Sequence, residues 1–400
     1  MDDFTTGPGL VGWYFQFAFA ATAATIVAGT VAERCKMAAY LCYSVFLTGF
    51  VYPVIVHSLW ASDGFLSSFA NEPFRGQGVI DFAGSGVVHM TGGATALVAA
   101  LVLGARKGRF HDEDGNVLES PAEFPPHSVA LQILGTFILW VGWYGFNPGS
   151  SLQIANSTSA AVSALAAVTT TIAAAAGCVS CMFLDTIITA TKDGEVSYDL
   201  TMAMNGCLGG LVAITAGCAV VAPWSAVVIG MVAGVVYYVG SKTLIYFKID
   251  DAVDAIPVHL GNGIWGILAV GLFAEPSRQA LAYSGNITHV GWFYNTSDGN
   301  LLLNQFIGVC WILGWVTVVM GPFFIALNFL GMFRVDALEE EVGLDISHHR
   351  GVAYNLSGPK SEHIEELIEA RASRHGKVEV PKVVADAAYG AENDDAEETA

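Results

Sequence analysis

The sequence predicts an all-α protein that crosses a membrane many times and ends in a polar tail. Three observations predict this class. Hydrophobic residues make up 54% of the 400 residues and charged residues only 13%, unlike the balance of a soluble globular domain. Long apolar runs recur along the chain, and a histidine-containing motif occurs twice. The formal charge of −19 fits this class, because about half of it lies after Phe333 in a solvated or interaction segment that cannot build a core.

Nine apolar runs are long enough to cross a bilayer, which takes about 20 mostly apolar residues. They are 11–31, 37–60, 84–105, 127–147, 158–184, 200–222, 225–246, 255–273 and 302–333. The last run is longer than a straight crossing needs, so we expect it to tilt or to extend beyond the membrane. The domain organisation that follows is a transmembrane domain at 1–333 and a tail at 334–400, which is acidic and expected to be disordered over 358–400.

The distribution of Lys and Arg between the loops predicts their sides of the membrane, because cytoplasmic loops carry the excess of basic residues. Successive loops alternate between the two sides of the membrane. The loops of one side contain Arg34, Lys36, Arg106, Lys107, Arg109, Lys192, Lys242 and Lys248, and those of the other side contain only Arg75 and Arg278. We therefore expect the tail in the cytoplasm and the N-terminus outside. Glycosylation sequons at Asn156, Asn286 and Asn295 fall in loops assigned to the outside, which agrees with this orientation.

A repeated motif places an aspartate and a histidine at the start of two apolar runs. The skeleton of Asp, seven residues, His, three residues and Gly begins at Asp81 and again at Asp251, and it contains His89 and His259. Ionisable groups within a membrane are costly and therefore indicate a functional site. Two unrelated histidines that pack or cap helix ends would be the alternative. Matched contexts favour an internal repeat with a site where its halves meet.

Aromatic residues gather at one predicted membrane face, in the segments 13–19 and 143–150 and at Trp60. An interfacial aromatic belt would explain isolated Trp and Tyr side chains. At 147–150, however, the sequence Asn-Pro-Gly-Ser ends a predicted helix and exposes carbonyls and a hydroxyl beside the rings. Ring faces attract a cation, and oxygens replace part of its water shell. The pattern therefore favours a site for a small cation.

The two histidines suit a small polar molecule, or a proton that moves separately, better than a hydrated metal ion. A neutral imidazole donates at one nitrogen and accepts at the other, and it titrates near physiological pH. The sequence leaves two roles open for Asp81. This carboxylate could orient nearby helix ends and loop amides, or it could supply negative potential under a cation site.

Other functional classes are less well supported. A membrane redox protein could use His89 and His259 as axial haem ligands, but Gly-rich surroundings make a macrocycle hard to place. GxSxG and HExxH motifs are absent from the sequence, which disfavours a hydrolase. Cys178 and Cys181 have CxxC spacing, yet without a second pair or a nearby histidine they indicate packing instead of zinc or redox chemistry. We expect no enzyme activity, no cofactor, no metal site and no nucleic-acid partner.

Five motifs, in order, resemble those of the ammonium transporter family (Amt/Mep/Rh), and of its plant-type branch in particular. They are GTVAER at 29–34, FVYP at 50–53, DFAGSGVVH at 81–89, GWYGFNPGS at 142–150 and Val-His at 258–259. The match runs from near the N-terminus to about Tyr354. The resemblance implies a homotrimer in the lipid bilayer with one pore in each subunit. It also implies an inverted repeat of five plus five helices and a final long helix.

The resemblance further implies roles for individual residues. The implied sets are ammonium recruitment at Phe19, Trp60, Ser150 and Asp81, a pore gate of Phe19, Phe146, Gln16 and Trp143, and twin pore histidines at His89 and His259. The implied function is ammonium uptake for nitrogen assimilation, most simply at the plasma membrane. The cation would lose its water and a proton, and ammonia would pass the histidines. Passage of intact ammonium and a second role as an ammonium sensor remain open.

Two features depart from the family pattern. The family has eleven spans, and the first run here resembles the third, so the resemblance implies that counterparts of the first two helices are missing from this sequence or from the protein. The segment 334–357 resembles a regulatory segment that touches a neighbouring subunit, but Arg350 stands where the family usually has Gly. Ser347 occupies the position of a phosphorylatable residue, where a dianion could break that contact. A solvated turn without a switch is the alternative.

Overall fold

The structure is a computed structural model that describes residues 7–112, 114–194, 196–283 and 287–349. Within these ranges the chain is helical, and its only β-type pairings are four isolated bridges. The helices are α1 Gly7–Thr30, α2 Met37–Phe46, α3 Tyr52–Trp60, α4 Thr91–Leu103, α5 Val129–Phe146, α6 Ser157–Asp193, α7 Leu200–Thr215, α8 Pro223–Tyr246, α9 Asn262–Phe273, α10 Pro276–Tyr283, α11 Asn300–Phe329, α12 Ala337–Val342 and α13 Leu344–His349. The predicted all-α fold is confirmed. Asn286, Arg350 and the acidic segment 358–400 lie outside the described residues.

Eight helical segments in the described part of the chain are long and apolar enough to cross a membrane. They are Gly9–Thr30, Met37–Trp60, Ser85–Leu103, Val129–Ser151, Ser157–Lys192, Pro223–Tyr246, Ile256–Phe273 and Asn300–Phe329, which match eight of the nine predicted runs. The remaining run, 200–222, is helical only over the 16 residues of α7. The helix ends early because the carbonyls of Thr215 and Ala216 accept hydrogen bonds from the N–H groups of Ala83 and Phe82, at 3.2 and 2.9 Å.

Small residues allow α6, α7 and α8 to pack with their backbones in contact. A Cβ atom placed on Gly210 would overlap the Ala173 carbonyl of α6, and one placed on Gly206 would overlap Gly177. Such close approach matters in lipid, where no hydrophobic effect drives helices together. The close approach of these three helices therefore depends on glycine and alanine at the contacts.

The two ends of the bundle differ in chemistry. We call the end with Trp60 and Asp81 the aromatic end, and the opposite end, with Arg34, Arg106 and Asp250, the arginine end. The chain returns to the arginine end after α11 and pairs there with the turn after α1. Backbone hydrogen bonds join Lys36 to Phe333 at 3.0 Å and Val335 to Arg34 at 3.1 Å.

Candidate functional site

His89 and His259 meet inside the bundle, although they lie 170 residues apart in the chain. Their Nδ1 atoms are 3.2 Å apart, and the rings are nearly parallel, with centroids 5.2 Å apart and planes inclined by 14°. At this distance the two nitrogens share one hydrogen bond, so one Nδ1 donates and the other accepts. The direct contact leaves no space for a haem plane between the rings.

Each histidine lies on a π-helical turn whose first backbone N–H groups are capped by an aspartate. A carboxylate oxygen of Asp81 accepts a hydrogen bond from the Gly86 N–H at 3.0 Å, and a carboxylate oxygen of Asp251 accepts one from the Ile256 N–H at 2.6 Å. Both donors lie five residues after their aspartate, so the two halves of the repeat use one capping register. This geometry supports the orienting role for Asp81, one of the two roles that the sequence left open.

The capping aspartates precede the membrane-spanning segments, and Asp81 is buried while Asp251 is half-buried. Burial raises the pKa of each carboxyl to about 6, and hydrogen bonds from backbone N–H groups oppose this rise. Burial therefore shifts the pKa of both carboxyls in the same direction.

Two stacked phenyl rings lie between His89 and the aromatic end. Phe19 and Phe146 have centroids 4.1 Å apart and planes inclined by 18°, and the Phe146 centroid is 5.3 Å from that of His89. Trp60 packs edge-on against Phe19 at 5.9 Å. Phe19 is only 3% exposed, so the stack closes the path to His89 from this side.

The remaining residues expected at the recruitment site and gate differ in their placement. Trp60 Nε1 donates a hydrogen bond to the Asp81 carbonyl at 2.7 Å. Ser150 Oγ donates to the Phe146 carbonyl at 2.8 Å, which holds the hydroxyl one turn beyond the ring stack. Gln16 is different, because its side chain is exposed on α1 instead of packed beside the rings.

Access to the histidine pair differs on its two sides. His89 is 1% exposed, and its Nε2 atom is buried without a hydrogen-bond partner among the described residues. His259 is half-buried, although its neighbours Val258 and Leu260 are buried. The His89 imidazole is therefore more fully enclosed by the protein than that of His259.

A network of charges closes the arginine end. The Arg106 guanidinium binds Asp250 through Nε at 2.8 Å and Nη2 at 3.0 Å, and it binds Glu33 through Nη1 at 2.6 Å. Arg34 is fully buried and donates to the Asp250 carbonyl at 2.7 Å. Burial alone would raise the pKa of the Asp250 carboxyl, but hydrogen bonds from Arg106 outweigh it and lower this pKa. Because Asp250 precedes the second capping aspartate, the network also fixes the turn that carries His259.

The beginning of the tail docks beside this network. Arg334 donates to the carbonyls of Leu103 and Ala105 at 2.8 Å and binds the Glu340 carboxylate at 2.8 Å. Ser347 lies on α13 and is 3% exposed, with its hydroxyl 3.5 Å from the Glu339 carbonyl. The expected phosphorylation position is therefore packed against α12.

The comparison with protein families agrees with this arrangement. The model described as Ammonium Transporter Family matches residues 1–354, which is the extent that the sequence motifs predict. This chain belongs to the ammonium transporter family.

Relatives within the ammonium transporter family include plant proteins, as the resemblance predicts. The chain is 42% identical over 350 residues to ammonium transporter 1 member 2 of Arabidopsis thaliana, which covers 85% of this chain and 66% of the relative. The structure of this chain superposes on a sensor Amt protein with a TM-score of 0.68, at 32% identity over 83% of this chain and 75% of the sensor protein. For Mep2 of Candida albicans the TM-score is 0.67, at 29% identity over 81% of this chain and 65% of Mep2. The chain spans about two thirds of the length of its curated relatives.

Two contacts in this ammonium transporter family member were not predicted from the sequence. Asp251 was part of the repeated motif, and pairing it with Asp81 could have identified it as a second cap. Thr215 gave no signal, because it lies in a run of small and apolar residues. The structure shows that its hydroxyl accepts a hydrogen bond from the indole of Trp143 at 3.0 Å.

Proposed function

We propose that this chain moves ammonium across a membrane through the channel that contains the histidine pair. The observation that carries this proposal is the stack of Phe19 and Phe146 directly against buried His89, whose imidazole faces that of His259. Ring faces attract a monovalent cation, but a charge is costly to move through an apolar channel. A site that receives a cation and then presents only rings and imidazoles suits a molecule that loses its charge on the way.

In this proposal, Phe19, Trp60 and Ser150 recruit ammonium at the aromatic end, and Asp81 holds the recruiting loop in place. Ammonium gives a proton to water at the aromatic end, which leaves ammonia and a hydrated proton, and the stacked rings part to admit the ammonia. Ammonia then crosses as a neutral molecule. The unpartnered Nε2 atom of His89 offers it a hydrogen bond without the cost of a charge.

We further propose that the aromatic end faces the outside and the arginine end the cytoplasm, in the plasma membrane. The excess of Lys and Arg in the loops at the arginine end supports this orientation. As the family resemblance implies, the working unit would be a homotrimer with one channel in each subunit. The tail of one subunit would touch the next subunit. The uptake would supply ammonium for nitrogen assimilation, and a phosphate on Ser347 would release the tail.

Growth on limiting ammonium tests this function in a yeast strain that lacks its own ammonium transporters. The 400-residue chain would be expressed beside His89→Ala, with both proteins quantified at the plasma membrane. We expect rescue by the parent and none by His89→Ala. Rescue by both would remove the histidine pair from the mechanism, and failure of a correctly delivered parent would count against transport by this chain.

A further inference from the structure

We propose that Thr215 is a positioning residue that turns the only N–H of Trp143 away from the channel, so that ammonia passes His89 without being retained. This inference rests on the proposed function and adds a residue to it. The carrying observation is the buried hydrogen bond between an indole that lines the histidine pair and a threonine on a different helix.

Trp143 forms part of the channel wall beside the first histidine. Its ring stacks on the His89 imidazole with centroids 5.0 Å apart and planes inclined by 13°, and it lies 5.6 Å from Phe146. The side chain is 6% exposed. A molecule that approaches His89 therefore meets the Trp143 indole as well.

An indole has one polar group, the Nε1–H, which can only donate a hydrogen bond. Ammonia carries a lone pair that accepts one. If the N–H pointed into the channel, it would bind this lone pair and hold ammonia in place next to His89. Thr215 Oγ1 accepts the N–H at 3.0 Å inside the protein, so only the apolar face of the ring borders the channel.

The threonine is itself held in this orientation. Its hydroxyl donates to the Leu211 carbonyl in the preceding turn of α7 at 2.7 Å, which leaves its lone pairs for the indole. Thr215 is fully buried, and its own carbonyl accepts a hydrogen bond from Ala83 at 3.2 Å. A β-branched side chain with a hydroxyl bonded to the residue four positions earlier has little rotational freedom. The acceptor for Trp143 is thus fixed from two sides.

Two substitutions separate the hydroxyl from the shape of the side chain. Thr215→Val keeps the shape and removes the acceptor, whereas Thr215→Ser keeps the acceptor. The full chain and each variant would be reconstituted in lipid vesicles, and ammonium-driven changes of internal pH would be recorded over a range of concentrations. For Thr215→Val we expect the maximum rate to fall by about fivefold or more. We expect the KM to fall by no more than about twofold. For Thr215→Ser we expect at least about half of the parent rate.

A double-mutant cycle with Trp143→Phe distinguishes positioning from a general structural role. Phenylalanine has no N–H, so in this background Thr215→Val should change the rate by less than about twofold. An unchanged fivefold loss in this background would overturn the proposal, as would a Thr215→Val protein as active as the parent. A Thr215→Ser protein as impaired as Thr215→Val would overturn it too.

A spectroscopic readout tests the positioning without transport. Ultraviolet resonance Raman spectra report hydrogen bonding of the indole N–H across the nine tryptophans. The difference between parent and Thr215→Val should show the loss of one hydrogen-bonded indole, and this difference should vanish in the Trp143→Phe background. A parent that moves no ammonium but gives this difference would refute the proposed function while the positioning stands. If Thr215→Val does not fold, Thr215→Ala replaces it, and a spectrum identical to the parent's overturns the inference.

Discussion

His259 is the more exposed member of the histidine pair. We expect His259→Ala to reduce ammonium uptake by about tenfold or more, because the His89 imidazole then loses its hydrogen bond to His259 and the proposed channel loses one wall. Uptake per molecule at the cell surface measures this effect. The amount of folded protein should change little, since the half-buried ring contributes less to packing than His89. Uptake equal to the parent's would place the substrate path elsewhere.

Trp60 contributes to the aromatic end through its ring edge and its N–H. Trp60→Leu keeps an apolar side chain but removes the face that attracts a cation, together with the bond to the Asp81 carbonyl. We expect the KM for ammonium to rise several-fold, because a cation–π contact contributes about 0.5–2 kcal/mol. Concentration-dependent uptake is the measurement, with Trp13→Leu as a matched control on the exposed face of α1. Equal KM values for the two variants would leave Trp60 as part of an interfacial belt.

At the scale of helices and turns, the capping aspartates predict a symmetrical effect in the two halves. Asp251→Asn keeps one carbonyl oxygen as an acceptor but removes the charge that faces the backbone N–H groups. Loss of a good cap costs about 1 kcal/mol, so we expect a lower melting temperature and reduced uptake. Thermal unfolding of the purified protein, beside Asp81→Asn, measures both halves. A stable and fully active Asp251→Asn protein would contradict the shared capping role.

Some elements could be predicted from the sequence and others could not, for physical reasons. Length and apolarity define a membrane helix, so eight spans were foreseen. The end of α7 was not, because after Thr215 the chain remains apolar while its carbonyls bond to another loop. Matched spacing identified both histidines, since a repeat is a property of sequence. The acceptor for Trp143 depends on which helix lies beside it, and no local pattern encodes that.

The same distinction applies to the residues that the family resemblance supplied. The resemblance grouped Phe19 with Phe146 and with Trp60, and these rings are in contact in the structure. Gln16 lies on the same helix as Phe19, yet it points outward. A motif can assign a residue to a helix, but the direction of its side chain depends on the surrounding helices.

For the molecule as a whole, the tail and the channel are connected through the arginine end. Ser347→Asp would place a carboxylate in a packed position beside the glutamates at 339–341. We expect α13 to detach and uptake to fall by about twofold or more, because a second negative charge buried beside these glutamates is unfavourable. Uptake assays with Ser347→Ala as the control measure this, since alanine fits the same space. Full activity of Ser347→Asp would show that the position is not a switch.

The charge network of the arginine end also predicts a response to pH. Arg106 lowers the pKa of the Asp250 carboxyl below its ordinary value of 3.8, so the stabilisation is present above that value and is lost as the pH falls through the lowered pKa. We expect hydrogen exchange at 334–349, corrected for intrinsic rates, to be equally protected at about pH 7 and about pH 5. Asp250→Asn should lose this protection at both values. A loss of protection in the parent between these values would assign the docking to another group.

The contact between the two Nδ1 atoms has a consequence for how a proton could move along the histidine pair. Only one hydrogen fits between these atoms, so the tautomer of one neutral ring dictates that of the other. When that hydrogen belongs to His89, the far nitrogen of His89 is bare and the far nitrogen of His259 carries a hydrogen, and the reverse holds after the hydrogen changes sides. A proton relayed along the two rings would therefore leave them inverted, and a second proton could not follow until they were reset. The two rings would therefore have to return to their starting tautomers before they could relay another proton.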